Sequence, residues 1–279
     1  MEFKQKLAFI GTGRMAGALI TNLIKERYCA PAQIIATHHD ISSISYLERE
    51  FRVKTTTSNA SAIELSEIIF LCVRPQQFPQ LISEIGPFIK EHHIVISIAV
   101  GVPIDWLRMA LSKCNSVFHV HPPSTVFASS KGLSFIALEE NAPAESGLIT
   151  RKIFRAFGEV IVVHETDIDS YAVFAGCSPA FVARMAGDWF NLAIENGISE
   201  EIAKKITLVT FQAITNGINN LNMSLKDFER KIATPNGVTE MGLKAIEKQD
   251  LTKIFLDVVN IARDKIKRIK DIFNLVEQE

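Results

Sequence analysis

The sequence predicts an α/β chain of two domains, a doubly wound parallel sheet over residues 1–164 followed by an all-helical part over residues 165–279. Three observations carry that prediction. From Lys6 to about Val163, short β-rich runs alternate with segments of helical period. The runs at 68–73 and 94–98 are continuously apolar, as strands must be when helices cover both faces of a parallel sheet. After His164 the strand-like runs stop, and Phe181, Met185, Trp189, Leu192 and Ala193 recur at helical spacing.

Taken in order, strands are expected at 7–10, 34–37, 68–73, 94–98, 117–120, 133–138 and 160–163. At least four helices follow. Ser199-Glu-Glu reads as a helix start after Asn196-Gly197, Ser224 starts another, and Thr234-Pro235-Asn236-Gly237 breaks the pattern before Leu243 resumes it. The last helix, about 251–272, brings Ile254, Val258, Ile261, Ile266 and Ile269 near one face, with Lys265, Lys267, Arg268 and Lys270 in its final turns.

Composition narrows the function classes. Thirty basic against 31 acidic residues leave a formal charge of −1, so no one-signed field exists to bind nucleic acid, and none is expected as a partner. The longest apolar runs fall far short of the roughly 20 residues of a transmembrane helix, so no membrane partner is expected either. Cys29, Cys72, Cys114 and Cys177 lie far apart with no C-x-x-C pair, as reduced thiols do. With no secretory pattern at the start of the chain, the cytoplasm is the expected compartment.

The strongest motif joins the first strand to the first helix. Gly11-Thr12-Gly13-Arg14-Met15-Ala16 fits G-x-G-x-x-A in the right context, which makes the first domain Rossmann-type and dinucleotide-binding. Gly11 permits the tight turn, Gly13 lets a pyrophosphate approach the backbone, and small Ala16 lets the helix pack on the strand. The second strand ends at Thr37-His38-His39-Asp40 with no acid at its tip, so NADPH is the expected cofactor and NADH a possible one. No third ligand accompanies the His38-His39 pair, and no metal is expected. His119-x-His121 runs into Pro122-Pro123 at a strand end, where both imidazoles are expected to line the cleft. Neither a G-x-S-x-G elbow nor a P-loop is present.

In order and spacing, the motifs resemble those of the pyrroline-5-carboxylate reductases. Gly11-x-Gly13-x-Met15-x-x-Ala18-Leu19 resembles that family's cofactor loop, Val73-Arg74-Pro75 its V-K-P, and 96–102 its I-S-I-A-A-G-V. In the helical half, 175–181 resembles S-G-S-G-P-A-Y and 234–239 resembles S/T-P-G-G-T/A-T. The resemblance implies NAD(P)H-dependent reduction of 1-pyrroline-5-carboxylate to L-proline, the last step of proline biosynthesis, by hydride transfer. It implies cofactor contacts from Gly11, Thr12, Gly13, Arg14, Met15, Thr37, His38, His39, Val73, Arg74, Pro75, Ala99, Gly101 and His121. Thr239 would be catalytic, hydrogen-bonding the substrate nitrogen, while Thr234, Asn236, Gly237, Val238, Cys177 and Ser178 bind substrate. The helical part would be a dimerisation domain that closes over the substrate in a homodimer or a higher oligomer.

Several departures from the family pattern cluster at the pocket. Its M-P-N-T-P becomes His121-Pro122-Pro123-Ser124-Thr125, its S-G-S becomes Ala175-Gly176-Cys177, and Asn236 and Glu240 replace a glycine and an apolar residue. Asn tolerates a left-handed backbone, so Asn236 keeps the turn. Glu240 repels a substrate carboxylate unless it points away or is protonated. Two alternatives stay open at this level: a divergent paralogue acting on another cyclic imine, and a non-catalytic NADPH-binding regulator. A β-hydroxyacid dehydrogenase is disfavoured because 181–194 holds no lysine.

Overall fold

The computed structural model describes residues 3–129, 131–137, 142–221 and 223–276. Its first part alternates β1 (Leu7–Ile10), α1 (Arg14–Lys25), β2 (Ile34–Thr37), α2 (Ser45–Phe51), β3 (Lys54–Thr56), α3 (Asn59–Glu64), β4 (Ile68–Leu71) and α4 (Phe78–Ile85). There follow β5 (Ile94–Ser97), α5 (Ile104–Ala110), β6 (Val117–His121), β7 (Gly132–Ala137), α6 (Ala144–Phe154) and β8 (Gly158–Val163). Leu138, expected to end the β7 strand, lies outside the described residues.

The eight strands form one sheet in the order β3-β2-β1-β4-β5-β6-β7-β8. The order reverses at β1, the switch point beside which α/β sheets hold ligands at the carboxyl ends of their strands. All neighbours are parallel except β6 and β7, which pair antiparallel with His121 opposite Phe135. The sheet is thus the expected doubly wound parallel one, with a single antiparallel junction. Among its described residues the loop between β6 and β7 carries no crossover helix, and a parallel return needs one. Strand β3 is a further difference, since three polar residues at a sheet edge carry no apolar signal.

The sheet is covered on both sides. One face packs Phe9, Phe70, Phe118, Phe154 and Phe157 with the apolar side of α1. The other packs Ile69, Leu71 and Val95 with α4 and α5. At about 25 cal/mol per Å² of apolar surface, such burial is the main favourable contribution to this part of the fold.

The helical part comprises α7 (Glu165–Tyr171), a π-helical turn over Ala172–Cys177, α8 (Ser178–Glu195), α9 (Glu200–Leu221), α10 (Leu225–Ile232), α11 (Val238–Lys248) and α12 (Leu251–Val276). Ser224 caps α10 by accepting the Asp227 amide, as the sequence predicts. The chain divides into two compact units, one running up to Cys177 and resuming at Ala262, the other Ser178–Ile261. Helix α7, the π-helical turn and the end of α12 therefore belong with the sheet. In that unit Phe273 stands edge-on to Trp106 at 4.8 Å, and Ile269 covers Gly101.

The unit Ser178–Ile261 buries little of its apolar surface. No residue of α8 is buried, and Trp189 is 60% exposed, Leu192 51%, Leu208 61% and Ile261 70%. Exposed large apolar side chains in such number mark an interaction face.

Candidate active site

The glycine turn after β1 is built by close contacts on one side and openness on the other. Gly11 has φ +78°, and a Cβ there would lie 2.2 Å from Val73 Cγ1, so glycine is required by conformation and by packing. Gly13 is extended, and no atom lies within 4 Å of where its Cβ would project. It caps α1 without a side-chain hydrogen bond, and the first turn of α1 holds no acid. The helix thus presents free amide groups and an exposed Arg14 beside a bare backbone, which is how a helix N-terminus receives a pyrophosphate. The half-buried Met15 packs against the core beneath it.

Two buried threonines fix this turn. The Thr12 amide donates to the Thr37 carbonyl at 2.7 Å, and its hydroxyl donates to the Phe9 carbonyl at 3.1 Å. The Thr37 hydroxyl accepts from the Gly11 amide at 3.2 Å and donates to Asn59 Oδ1 at 2.5 Å. Thr37 is only 1% exposed, so it shapes the loop from beneath. Asn59 carries no local sequence signal; its role emerges only when α3 is brought against β2.

At the tip of β2 the His38 and His39 rings lie 4.3 Å apart. His38 Nδ1 lies 2.7 Å from the Asp40 carbonyl oxygen and 3.1 Å from the Asp40 amide nitrogen. The Asp40 carboxylate turns away to accept the Ser42 amide at 3.0 Å and the Ser42 and Ser43 hydroxyls at 2.7 Å each. Those hydrogen bonds hold its pKa below the usual carboxylate value. Arg74 is exposed, and its amide donates to Gln77 Oε1 at 3.1 Å as Pro75 opens a short 3₁₀ turn beside Val73.

Beyond β5, the buried Ala99 donates its amide to Ser97 Oγ at 3.4 Å. Gly101 has φ +78° and lies beneath Ile269, with a Cβ position 2.9 Å from Ile269 Cγ2, so it supports the turn from within. The two histidines of β6 have different fates. His119, expected in the cleft with His121, is 2% exposed and sits in the core with Nδ1 3.0 Å and 3.3 Å from the Glu165 carboxylate oxygens. His121 ends the strand with both ring nitrogens buried and without a partner among the described residues. Burial, reinforced by His119 and opposed by Asp169, pushes its pKa down to about 4. After β6, Pro123 packs against Gly132, and Asn22 of α1 donates to the Val126 carbonyl at 2.6 Å. That bond ties the cofactor helix to the loop across 104 positions of sequence, which no local pattern reveals.

Cys177, half-buried at the end of the π-helical turn, has its thiol pKa raised by burial. Ser178 is the first residue of α8. In the helical unit, Thr234–Thr239 forms a turn onto α11. Asn236 is left-handed at φ +59°, as expected of the residue replacing a glycine. The Gly237 amide donates to the Thr234 carbonyl at 2.9 Å, and a Cβ on Gly237 would meet Thr234 Oγ1 at 2.4 Å. Glu240 points back along the helix, accepting the Asn236 amide at 2.9 Å and pairing with Lys244 at 3.2 Å. The Asn236 bond, then Lys244, lowers its pKa, so Glu240 is ionised and engaged. Val238 and Thr239 open α11, which has no side-chain cap. Both are exposed, and Thr234 is exposed as well.

A glycine turn opening onto an uncapped helix at the switch point of an α/β sheet, with a largely helical second unit, defines a nicotinamide-dinucleotide oxidoreductase. Residues 6–101 match the family model described as NADP oxidoreductase coenzyme F420-dependent, and residues 165–269 match pyrroline-5-carboxylate reductase dimerisation. The chain is 27% identical over 265 residues to a pyrroline-5-carboxylate reductase of Methanosarcina acetivorans, covering 95% of this chain and 98% of the relative. It is 26% identical over 270 residues to the Staphylococcus aureus enzyme of that name, covering 96% and 98%. The crystal structure of Plasmodium falciparum pyrroline carboxylate reductase with NADP bound shares the fold, with TM-score 0.87, 22% identity, and coverage of 97% of this chain and 99% of that one. Over residues 165–269 the chain thus matches the pyrroline-5-carboxylate reductase dimerisation model, and over nearly its whole length it resembles relatives of that name.

Proposed function

We propose that the protein reduces 1-pyrroline-5-carboxylate to L-proline with NADPH, as the last step of proline biosynthesis, in the cytoplasm. The observation that carries this reading is the open cradle at Gly13 in a chain that also holds an uncapped Thr234–Thr239 turn matching the reductase motif. The residues present fit a dinucleotide. The bare backbone at Gly13 and the first amides of α1, with Arg14 exposed, receive the pyrophosphate. His38, His39 and Arg74 supply the donors for a 2'-phosphate, while Asp40, turned into its own loop, offers no competing carboxylate. That arrangement favours NADPH over NADH.

The imine carbon would receive its hydride from the nicotinamide of a cofactor held at the Gly13 turn. The imine nitrogen must end with a proton, and the Thr239 hydroxyl is the group we assign to hydrogen-bond it. The Val238 and Thr239 amides, with Thr234, receive the carboxylate at the positive end of α11. Glu240, occupied by Asn236 and Lys244, does not oppose that carboxylate directly. A protonated imine is already electrophilic, so binding and orientation supply much of the acceleration.

The protein works as a homodimer through the helical unit. Trp189, Leu192, Leu208, Val209, Ile254 and Ile261 are too exposed for a finished core, and a second copy of the same unit matches their chemistry. Four free cysteines accord with a reducing compartment.

Turnover is read from nicotinamide absorbance with NADPH or NADH. Wild type is expected to oxidise NADPH in the presence of pyrroline-5-carboxylate. Thr239→Ala, still folded, is expected to lose about 10²-fold in kcat/KM, the scale of one hydrogen bond strengthened in the transition state. Folded wild type that binds NADPH without turnover contradicts this reading. His121 and Pro123, which replace the family's Met and Asn, favour a second reading in which a different cyclic imine is the preferred substrate.

A further inference from the structure

The unmatched imidazole of His121 has a consequence for substrate binding, conditional on the reductase reading above. Its ring lies against the backbone of Gly176, where a Cβ would sit 2.2 Å from Nε2 and 2.6 Å from Cε1. Gly176 is not among the residues with positive φ, so its backbone conformation suits any amino acid. Contact with His121 is therefore what requires glycine there. The turn that presses on the ring is the π-helical Ala172–Cys177, a widened geometry found frequently at functional sites.

The ring is held neutral. Burial, and then His119 on the same strand, oppose a proton, while Asp169 of α7 favours one. Asp169 is itself committed, with one oxygen 2.5 Å from Lys270 of α12 and the other buried without a partner among the described residues. An apolar side chain would fill the same space without leaving two ring nitrogens unmatched, so the imidazole is a stability cost carried at the mouth of the sheet. What the ring offers in return is shape: a flat, rigid platform thin enough for bare backbone to lie on.

We propose that His121 is a positioning residue for the substrate, acting through Gly176. The end of β6, which faces the cofactor side of the sheet, thereby sets the height of the turn carrying Ala175 and Cys177. Substrate fit depends on that height, whereas dinucleotide binding at the Gly13 cradle does not.

The test is a double-mutant cycle on the full chain with His121→Ala, Gly176→Ala and the double variant. KM and kcat for pyrroline-5-carboxylate are read together with the Kd of NADPH. Gly176→Ala is expected to raise KM about tenfold while the NADPH Kd stays within about twofold. In the His121→Ala background the same substitution is expected to change KM less than about threefold, because the ring it strikes is gone. Should His121→Ala fail to fold, His121→Asn takes its place. An equal KM penalty in both backgrounds, or NADPH binding lost in step with KM, overturns the positioning role. Thermal unfolding of the same four proteins keeps the two claims apart. A melting penalty of Gly176→Ala that shrinks when the ring is removed, in a wild type that never turns over, leaves the contact standing and overturns the reductase reading.

Discussion

Substituting the first and second glycines of the β1–α1 turn separates holding the fold from holding the cofactor. Gly11→Ala places a side chain at φ +78°, a left-handed conformation costing about 1–2 kcal/mol for an L residue. Its Cβ also falls 2.2 Å from Val73 Cγ1, and relieving such overpacking costs about 1–3 kcal/mol. Together these give about 2–5 kcal/mol, or a fall in Tm of roughly 5–15 °C for a chain of this size. Gly13→Ala meets neither penalty, since φ is −98° and no atom lies within 4 Å of the added carbon. Its stability is expected to stay within about 0.5 kcal/mol of wild type. The new methyl occupies the approach to the helix N-terminus, so the NADPH Kd is expected to weaken about tenfold or more, equivalent to about 1.4 kcal/mol. Urea unfolding reads the first effect, and cofactor fluorescence titration reads the second. Gly11→Ala as stable as wild type, or Gly13→Ala binding NADPH with unchanged affinity, refutes the division of labour between the two glycines.

Two further outcomes are expected. Burial pushes both His93 and His121 down to about 4 from 6.5, and protonating His93 also breaks the bond its Nδ1 accepts from the Lys90 amide at 3.0 Å. Folded pKa values below the unfolded ones mean that the unfolded chain binds these protons more tightly. Stability is then full above about pH 6.5 and falls as pH drops towards 4, by about 2 kcal/mol for each ring at pH 5. Urea unfolding at pH 7.5 and 5 measures this; His121→Met should remove about half of the slope, and a flat profile would show the rings are not buried uncharged. Trp189→Glu puts a carboxylate on the exposed apolar face of α8, and light scattering is expected to give the mass of a dimer for wild type and of a monomer for the variant. An unchanged mass places the subunit contact elsewhere.

Much of the fold is written locally. Strands β1, β4 and β5 are continuous apolar runs, and the glycine turn stands where a strand gives way to a helix. Asn236 is legible too, because few residues tolerate φ +59°. Direction is not legible, since an apolar strand reads the same whichever way it runs, and the reversal of β7 and β8 lies in the short loop before them. The polar Lys54–Thr56 strand is equally silent.

At the site, residue types were readable but their partners were not. Thr37 stands at the expected strand tip, yet only the fold shows its hydroxyl between Gly11 and Asn59. His119 and His121 share a strand and a spacing, and they diverge because Glu165 meets one and Gly176 the other. Glu240 reads from sequence as a threat to an anionic ligand; the structure turns it onto the Asn236 amide and Lys244. Long-range pairs such as Asn22 with Val126 are set by topology alone.

The most direct test of the central claim is product stoichiometry. Purified protein is incubated with NADPH and pyrroline-5-carboxylate, and NADPH consumed is compared with L-proline formed. One L-proline for each NADPH oxidised, with both lost together in Thr239→Ala, is the result expected of an imine reductase using that threonine. NADPH bound but not oxidised, or oxidised without proline appearing, contradicts it.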